Sequence, residues 1–451
     1  MQYDLTRLGI RVPFASISDS ERCALESKLT VSPIKSDYEY METTYKVFTT
    51  STNNMYVPRF FFGPPTSNMI KPGKDIFVAF NGNLKLSTEQ PQAANAILQQ
   101  LEEVGGCILS LPTGFGKTTV ALYVLAKMKV KTLIVVHKEF LMQQWIEKIE
   151  QFLPDAKVGR IQGSTRDVEG KDIVIGMLQS LSMKTYDRSL FDEFGFTIID
   201  ETHHVCTKTF SKIFSKFNTK YILGLSATLN RTDGLTHVLH WFLGNIGYHT
   251  ERKNQSNVIV RIVDYRPTMP FPMTKQQKPN MSAAVTLLSE SEERNILLMT
   301  VIEDLLKLSD RKILLLTDRR QHCLDLLEMC TQKHGETCCG LYMGGMKNEE
   351  LKRNEKKQII IGTYSLAHEG LDIPSLDTII LATPKSNIVQ AVGRILRETT
   401  GKLNDPYVID FIDHWGPIQY QFRKRKKYYT DTGFTFQDTI SDEQSFSFIK
   451  E

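Results

Sequence analysis

The residues best equipped for chemistry lie in two short stretches. The first, LPTGFGKTT at residues 111–119, follows an apolar run and opens a long apolar-periodic segment. Gly114 and Gly116 leave backbone N–H groups bare enough to approach phosphate oxygens, Lys117 offers a cation to the β- and γ-phosphates, and Thr118 offers a hydroxyl to Mg²⁺. A helix starting there adds a favourable potential for an anion. The usual pattern has a glycine where this chain has Leu111, so the loop alone leaves a plain glycine turn open as an alternative. The second stretch, IIDETHH at 198–204, argues against that alternative. Apolar residues running into two carboxylates describe a strand whose end delivers Asp200 to a metal and Glu201 to an attacking water, as γ-phosphate cleavage requires. His203 and His204 have neither HExxH spacing nor cysteine partners, which argues against zinc.

Groups of this kind must be held by strands that end together. β-Branched runs recur at 107–111, 132–136, 172–176, 196–200 and 221–225, separated by helical patterns such as 141–152. Strands alternating with amphipathic helices imply a parallel sheet covered on both faces. A second set at 312–316, 340–343, 358–361, 378–382 and 407–411 follows the proline-bearing stretch YRPTMPFPMTKQQK (265–278), which reads as a linker or irregular insertion. The expected organisation is an N-terminal accessory module at 1–83, an ATP-binding α/β domain at 84–250, a linker at 251–290, a second α/β domain at 291–415 and a basic C-terminal extension at 416–451. DNA binding is one reading of the accessory module. Its three phenylalanines at 60–62 read as core or interface before base stacking.

A chain of 451 residues, 41% hydrophobic and 24% charged, has room for two to four domains at ~100–200 residues each. The net charge of +4 excludes attraction of a polyanion by a global field and leaves that to local patches. Seven cysteines never form a CxxC pair, which argues against zinc ribbons and iron–sulfur clusters and for reduced thiols. With neither a signal-peptide pattern nor an apolar run of about 18 residues, a cytoplasmic chain without a membrane partner is expected.

LPTGFGKT, DETH (200–203), SAT (226–228) and QAVGRILR (390–397) resemble motifs I, II, III and VI of superfamily 2 helicases, in that order. Leucine-proline at 111–112, RTDG at 231–234, QS at 179–180 and GGMK at 344–347 look like further elements of the XPB/UvsW-like DExH branch, as do TY at 363–364 and EGLDIP at 369–374. ILATPKSNIVQAVGRILRE is similar to helicases of large DNA viruses and phages. Ser87 stands where such sequences carry an arginine ahead of Gln90.

The resemblance implies an α/β fold of two tandem RecA-like parallel-sheet domains that use ATP and Mg²⁺. It places Gln90, Pro112, Thr113, Gly114, Phe115, Gly116, Lys117, Thr118, Thr119 and Asp372 on the nucleotide, and Thr118 and Asp200 on Mg²⁺. Lys117, Asp200, Glu201, Gln390, Arg394 and Arg397 become catalytic. Arg394 and Arg397, spaced i, i+3 as on one helix face, would supply arginine fingers to the transition state. Candidate nucleic-acid contacts are His137, Lys138, Gln179, Ser180, Arg231, Gly345 and Thr363, joined by the basic run at 423–427 that opens with Arg423 and Lys424. The resulting expectation is an ATP-dependent DNA helicase or translocase, a monomer acting on single-stranded, forked or branched DNA in replication, recombination or repair. A viral or phage protein in the host cell is implied, with its protein partners not legible. An RNA helicase and a nucleotide-gated binding module with weak ATPase activity are the alternatives.

Overall fold

The computed structural model describes residues 4–34, 44–65, 67–86, 88–204, 207, 209–216, 219–227, 233–252, 257–369, 371, 373–396 and 404–440. The chain divides into two compact units, residues 1–251 and 252–451.

The first unit is built on an eight-stranded sheet. Its spatial order is Thr165–Asp167, Val158–Gln162, Ile173–Met177, Thr132–Val136, Phe196–Ile199, Tyr221–Ser226, Gly106–Ser110 and Ile246–His249. Only the first two of these strands pair antiparallel. Gly106–Ser110, Thr132–Val136, Ile173–Met177 and Phe196–Ile199 are buried along their whole length, which is why they read as unbroken apolar runs. Helix Gln90–Val104 leads into the first central strand and stops at Gly105, whose φ of 83° suits a residue without Cβ.

The N-terminal residues form a five-stranded sheet ordered Thr49–Thr50, Asn54–Val57, Gly9–Pro13, Asp4–Thr6 and Ser67–Asn68. Helix Asp19–Lys28 accompanies it, started by a reciprocal cap between Ser18 and Glu21. This sheet is not a separate body. Leu5, Ile10, Met55 and Val57 share one apolar core with Ile108, Leu133, Val174 and Phe242 of the α/β domain. Buried Arg59 donates to the Thr219 carbonyl at 2.7 Å, and Phe61 meets Trp241 edge-on at 5.1 Å. The phenylalanine run is therefore interface.

The second unit is a seven-stranded, wholly parallel sheet. Its order is Cys339–Tyr342, Ile359–Thr363, Ile313–Thr317, Thr378–Leu381, Tyr407–Asp413, Ile259–Tyr265 and Thr435–Ile440. Two of these strands correct the expected boundaries. Ile259–Tyr265 and helix Met281–Glu290 lie inside the expected linker, with 266–280 irregular between them, and Thr435–Ile440 lies inside the expected extension. The strand Ile259–Tyr265 pairs with partners far along the chain on both sides, so no local pattern announces it.

Helix Gly416–Thr432 packs on the same sheet through Arg425, which donates to Asp410 at 2.8 Å, and Tyr429, whose hydroxyl donates to Asp410 at 2.8 Å. The run at 423–427 is therefore not a uniform phosphate grip. Its central arginine is buried against a carboxylate, while Arg423, Lys424, Lys426 and Lys427 stay exposed. Among the described residues no helix is long and apolar enough to cross a membrane.

Candidate active site

The glycine loop joins strand Gly106–Ser110 to helix Lys117–Met128. Gly114 and Gly116 have φ of 86° and 84°, in the left-handed region where a Cβ is penalised. A Cβ on Gly116 would also sit 2.5 Å from Gln90 Nε2. Gln90 is buried and holds the loop from outside: its Nε2 donates to the Phe115 carbonyl at 2.9 Å, and its Oε1 accepts from Lys85 N–H at 3.0 Å. Lys117 Nζ donates to the Leu111 carbonyl at 3.1 Å, so the ammonium is held across the loop's own span. Pro112, Thr113, Phe115, Thr118 and Thr119 are half-buried around it, with Gly114 exposed at the tip.

Asp200 follows strand Phe196–Ile199, and its backbone N–H still donates to Val135 at 3.0 Å. Its carboxylate accepts from the Trp145 indole at 2.9 Å and from the Glu201 N–H at 3.0 Å. Burial, and then the neighbouring Glu201 charge, push the Asp200 carboxyl up to about 6, against the lowering pull of Trp145 and Lys117. Glu201 has a φ of 46°, an uncommon setting for a residue with a side chain, at a cost of about 1–2 kcal/mol. Its Oε2 is buried and makes no hydrogen bond among the described residues, with His203 Nδ1 at 3.4 Å.

A string of rings leads away from Glu201. His203 and His204 lie 4.2 Å apart between centroids, and His204 lies 3.9 Å from His137, which follows strand Thr132–Val136. Gln179 Nε2 donates to the His137 carbonyl at 2.6 Å, and Ser180 Oγ accepts from Gly163 N–H at 2.9 Å. His137, one of the expected nucleic-acid contacts, is 5% exposed, with the His204 ring packed against its own.

Lys138, partly exposed, caps the next helix, its Nζ lying 5.8 Å from the Phe140 ring centroid. Sequence reasoning missed two supports. Trp145 looks like any core position of an amphipathic helix. Lys216 donates to the carbonyls of Leu181, Ser182 and Lys184 at 2.6–2.8 Å, fixing the end of the helix that carries Gln179 and Ser180.

In the second unit Gln390 sits half-buried on the one-turn helix Val389–Val392. Arg394 is 7% exposed and donates to the Leu371 carbonyl at 2.8 Å. Arg394 lies in the turn after Gly393, beyond the end of the helix at Val392, and the other half of the expected shared helix face, Arg397, lies outside the described residues. Gly345 is exposed with φ of 90°, and Thr363 Oγ1 bonds Ser365 at 3.2 Å at a strand's carboxyl end. Arg231, Asp372 and Arg397 lie outside the described residues.

Residues 83–231 match the family model described as "Type III restriction enzyme, res subunit", and residues 296–399 match "Helicase conserved C-terminal domain". A protein of Acanthamoeba polyphaga mimivirus named "Putative ATP-dependent RNA helicase L396" is 34% identical over 96% of this chain and 86% of its own length. The chain belongs to the superfamily 2 helicases. "Probable helicase D10" of Escherichia phage T5 is 26% identical over 73% of this helicase and 72% of itself. The solved structure of S. cerevisiae Dbp5 bound to RNA and ADP BeF3 covers 79% of this helicase and 90% of the Dbp5 chain, with a TM-score of 0.56 at 14% identity. That likeness is one of fold: two RecA-like α/β domains. As a helicase of this superfamily the chain is an ATP-hydrolysing enzyme that binds nucleic acid.

Proposed function

We propose that this helicase is an ATP-driven DNA translocase of the XPB/UvsW-like DExH branch, acting on single-stranded, forked or branched DNA in replication, recombination or repair within a virus- or phage-infected cell. The observation that carries the catalytic part is the pairing, on one sheet, of a left-handed glycine loop with a half-buried carboxylate and a neighbour whose buried oxygen makes no hydrogen bond among the described residues. These residues fit Mg²⁺ and ATP. The loop presents backbone N–H groups at a helix start, and an acid raised by burial gains from a cation beside it.

In this reading Gln90, residues 112–119 and Asp372 hold the nucleotide, with Lys117 on the β- and γ-phosphates. Thr118 and Asp200 hold Mg²⁺, which when bound draws charge off the phosphate oxygens. Glu201 orients the water and takes its proton as the water oxygen bonds the γ-phosphorus, and the bridging oxygen leaves with ADP. Gln390, Arg394 and Arg397 add positive charge to the transition state, a contribution of roughly 10³–10⁵ in rate in comparable enzymes. Lys138, Gln179, Ser180, Arg231, Gly345, Thr363, Arg423 and Lys424 contact the strand. His137 acts from behind them, through its stacking on His204.

The Res-subunit match over the first domain supports DNA as the substrate. A second reading, RNA, is favoured by the name that the mimivirus relative carries. ATP turnover measured with single-stranded, forked and four-way DNA and with RNA separates the two. Stimulation by DNA, strongest with forked or four-way substrates, is expected; stimulation by RNA alone overturns the DNA assignment.

A further inference from the structure

Helix Glu139–Phe152 turns Leu141, Met142, Trp145 and Ile149 inward, an i, i+1, i+4, i+8 stripe that suits a helix packed on a sheet. As far as burial is concerned, an aliphatic side chain would serve in place of Trp145. An indole only 1% exposed brings an N–H that needs an acceptor, and the acceptor here is Asp200 Oδ2 at 2.9 Å. The other oxygen, Oδ1, accepts from the Glu201 N–H at 3.0 Å. The two donors belong to different elements, the helix and the turn after strand Phe196–Ile199.

Donors on separate oxygens hold the plane of a carboxylate, whereas one donor alone leaves it able to turn about the bond to its Cβ. Neither the indole nor the backbone N–H neutralises Asp200, and each oxygen keeps a further lone pair for a cation. A fixed plane matters most to a small ion. Mg²⁺ demands near-ideal octahedral geometry at about 2.0–2.1 Å, whereas Ca²⁺ accepts flexible coordination at about 2.3–2.6 Å. Resting on the reading of Asp200 as a Mg²⁺ ligand, we propose that Trp145 is a positioning residue that holds the Asp200 carboxylate and thereby makes the nucleotide site select Mg²⁺ over Ca²⁺. Trp145 acts through Asp200, and it is the N–H, not the bulk of the ring, that confers the selectivity.

The test uses the full chain and calorimetry of binding of non-hydrolysable AMP-PNP in Mg²⁺, in Ca²⁺ and in EDTA, so that each ion's contribution is a ratio of two affinities. In Trp145→Phe, which keeps a ring and loses the N–H, the Mg²⁺ contribution should fall about tenfold, as expected when a group orienting a metal ligand is lost. The Ca²⁺ contribution and the affinity in EDTA should stay within about twofold of the parent. A second chain with a benzothienyl ring at position 145, sulfur in place of the N–H, keeps the packing. It should show the same loss at the parent's melting temperature. Asp200→Asn is measured beside them. If it keeps the parent's Mg²⁺ contribution, the reading of Asp200 as a ligand fails and the proposal with it. If it loses that contribution while both Trp145 variants retain it, the proposal alone fails. Equal losses with Mg²⁺ and Ca²⁺, or a loss in Trp145→Phe that the benzothienyl chain does not share, also overturn it.

Discussion

Both α/β units carry aspartates on or just after parallel strands, and they treat them in opposite ways. In the second unit Asp413 accepts from Arg294 at 2.7 and 3.2 Å and Asp410 accepts from Arg425 at 2.8 Å, all four residues being fully buried or nearly so. In the first unit the Asp200 carboxylate, among the described residues, is held by the Trp145 indole and a backbone N–H, and Glu201 beside it adopts a left-handed backbone. A carboxylate bound to a guanidinium ties elements together and has no charge to spare. One held by neutral donors keeps its charge for a cation that arrives with the substrate. In the proposed mechanism the same residue type is structural in one unit and chemical in the other because of its donors.

The largest effects break the chemical side. Lys117→Ala is expected to lower ATP turnover by at least ~10³-fold, read as steady-state phosphate release. Near-native turnover would put the phosphate site elsewhere. Next come the locked acids. Removing one partner of a buried pair costs about 3–5 kcal/mol, which for a unit of this size corresponds to a drop of roughly 10 °C in melting temperature. Arg294→Ala and Arg425→Ala should each show it by calorimetry, and a shift of a degree or two would mean that the pairs are not holding the second sheet.

Asp200 sharpens the contrast. Its folded carboxyl lies at about 6, above the unfolded value of about 3.9, so the folded chain holds the proton more tightly and stability falls as pH rises through that window. Asp200→Asn, melted without Mg²⁺, should therefore be as stable as the parent or more so at pH 7.5, with the gain shrinking toward pH 4. A clear loss of stability at pH 7.5 would place Asp200 with the structural acids. The smallest effect is at the exposed half of the C-terminal helix. Arg423→Glu with Lys424→Glu should flatten the slope of log affinity against log salt by up to ~0.9 per lost duplex phosphate contact. An unchanged slope would remove both residues from the strand interface.

Much of this organisation was legible in the sequence for a physical reason. The central strands are buried along their length, so their apolar runs are continuous and lead directly into the glycine loop, to Asp200 and to Thr363. Two strands next to sheet edges were not legible, although the edge strand Cys339–Tyr342 was. Val158–Gln162 mixes buried and exposed positions, and Ile259–Tyr265 depends on partners elsewhere in the chain. The stacking of His137 on His204 joins residues on separate strand ends, which no spacing reveals. Arg425 is hidden in a charge run because its partner, Asp410, sits inside an apolar strand. The N-terminal sheet looked independent because the core it shares is assembled from residues distant in sequence.

In the proposed mechanism the base is Glu201, the residue with a left-handed backbone and a buried oxygen next to Asp200. Nucleotide affinity and ATP turnover measured separately for Glu201→Gln test it directly. Binding within about twofold of the parent together with a loss of turnover of at least ~10³-fold is the predicted result. Turnover close to the parent's would contradict the assignment of Glu201 as the base.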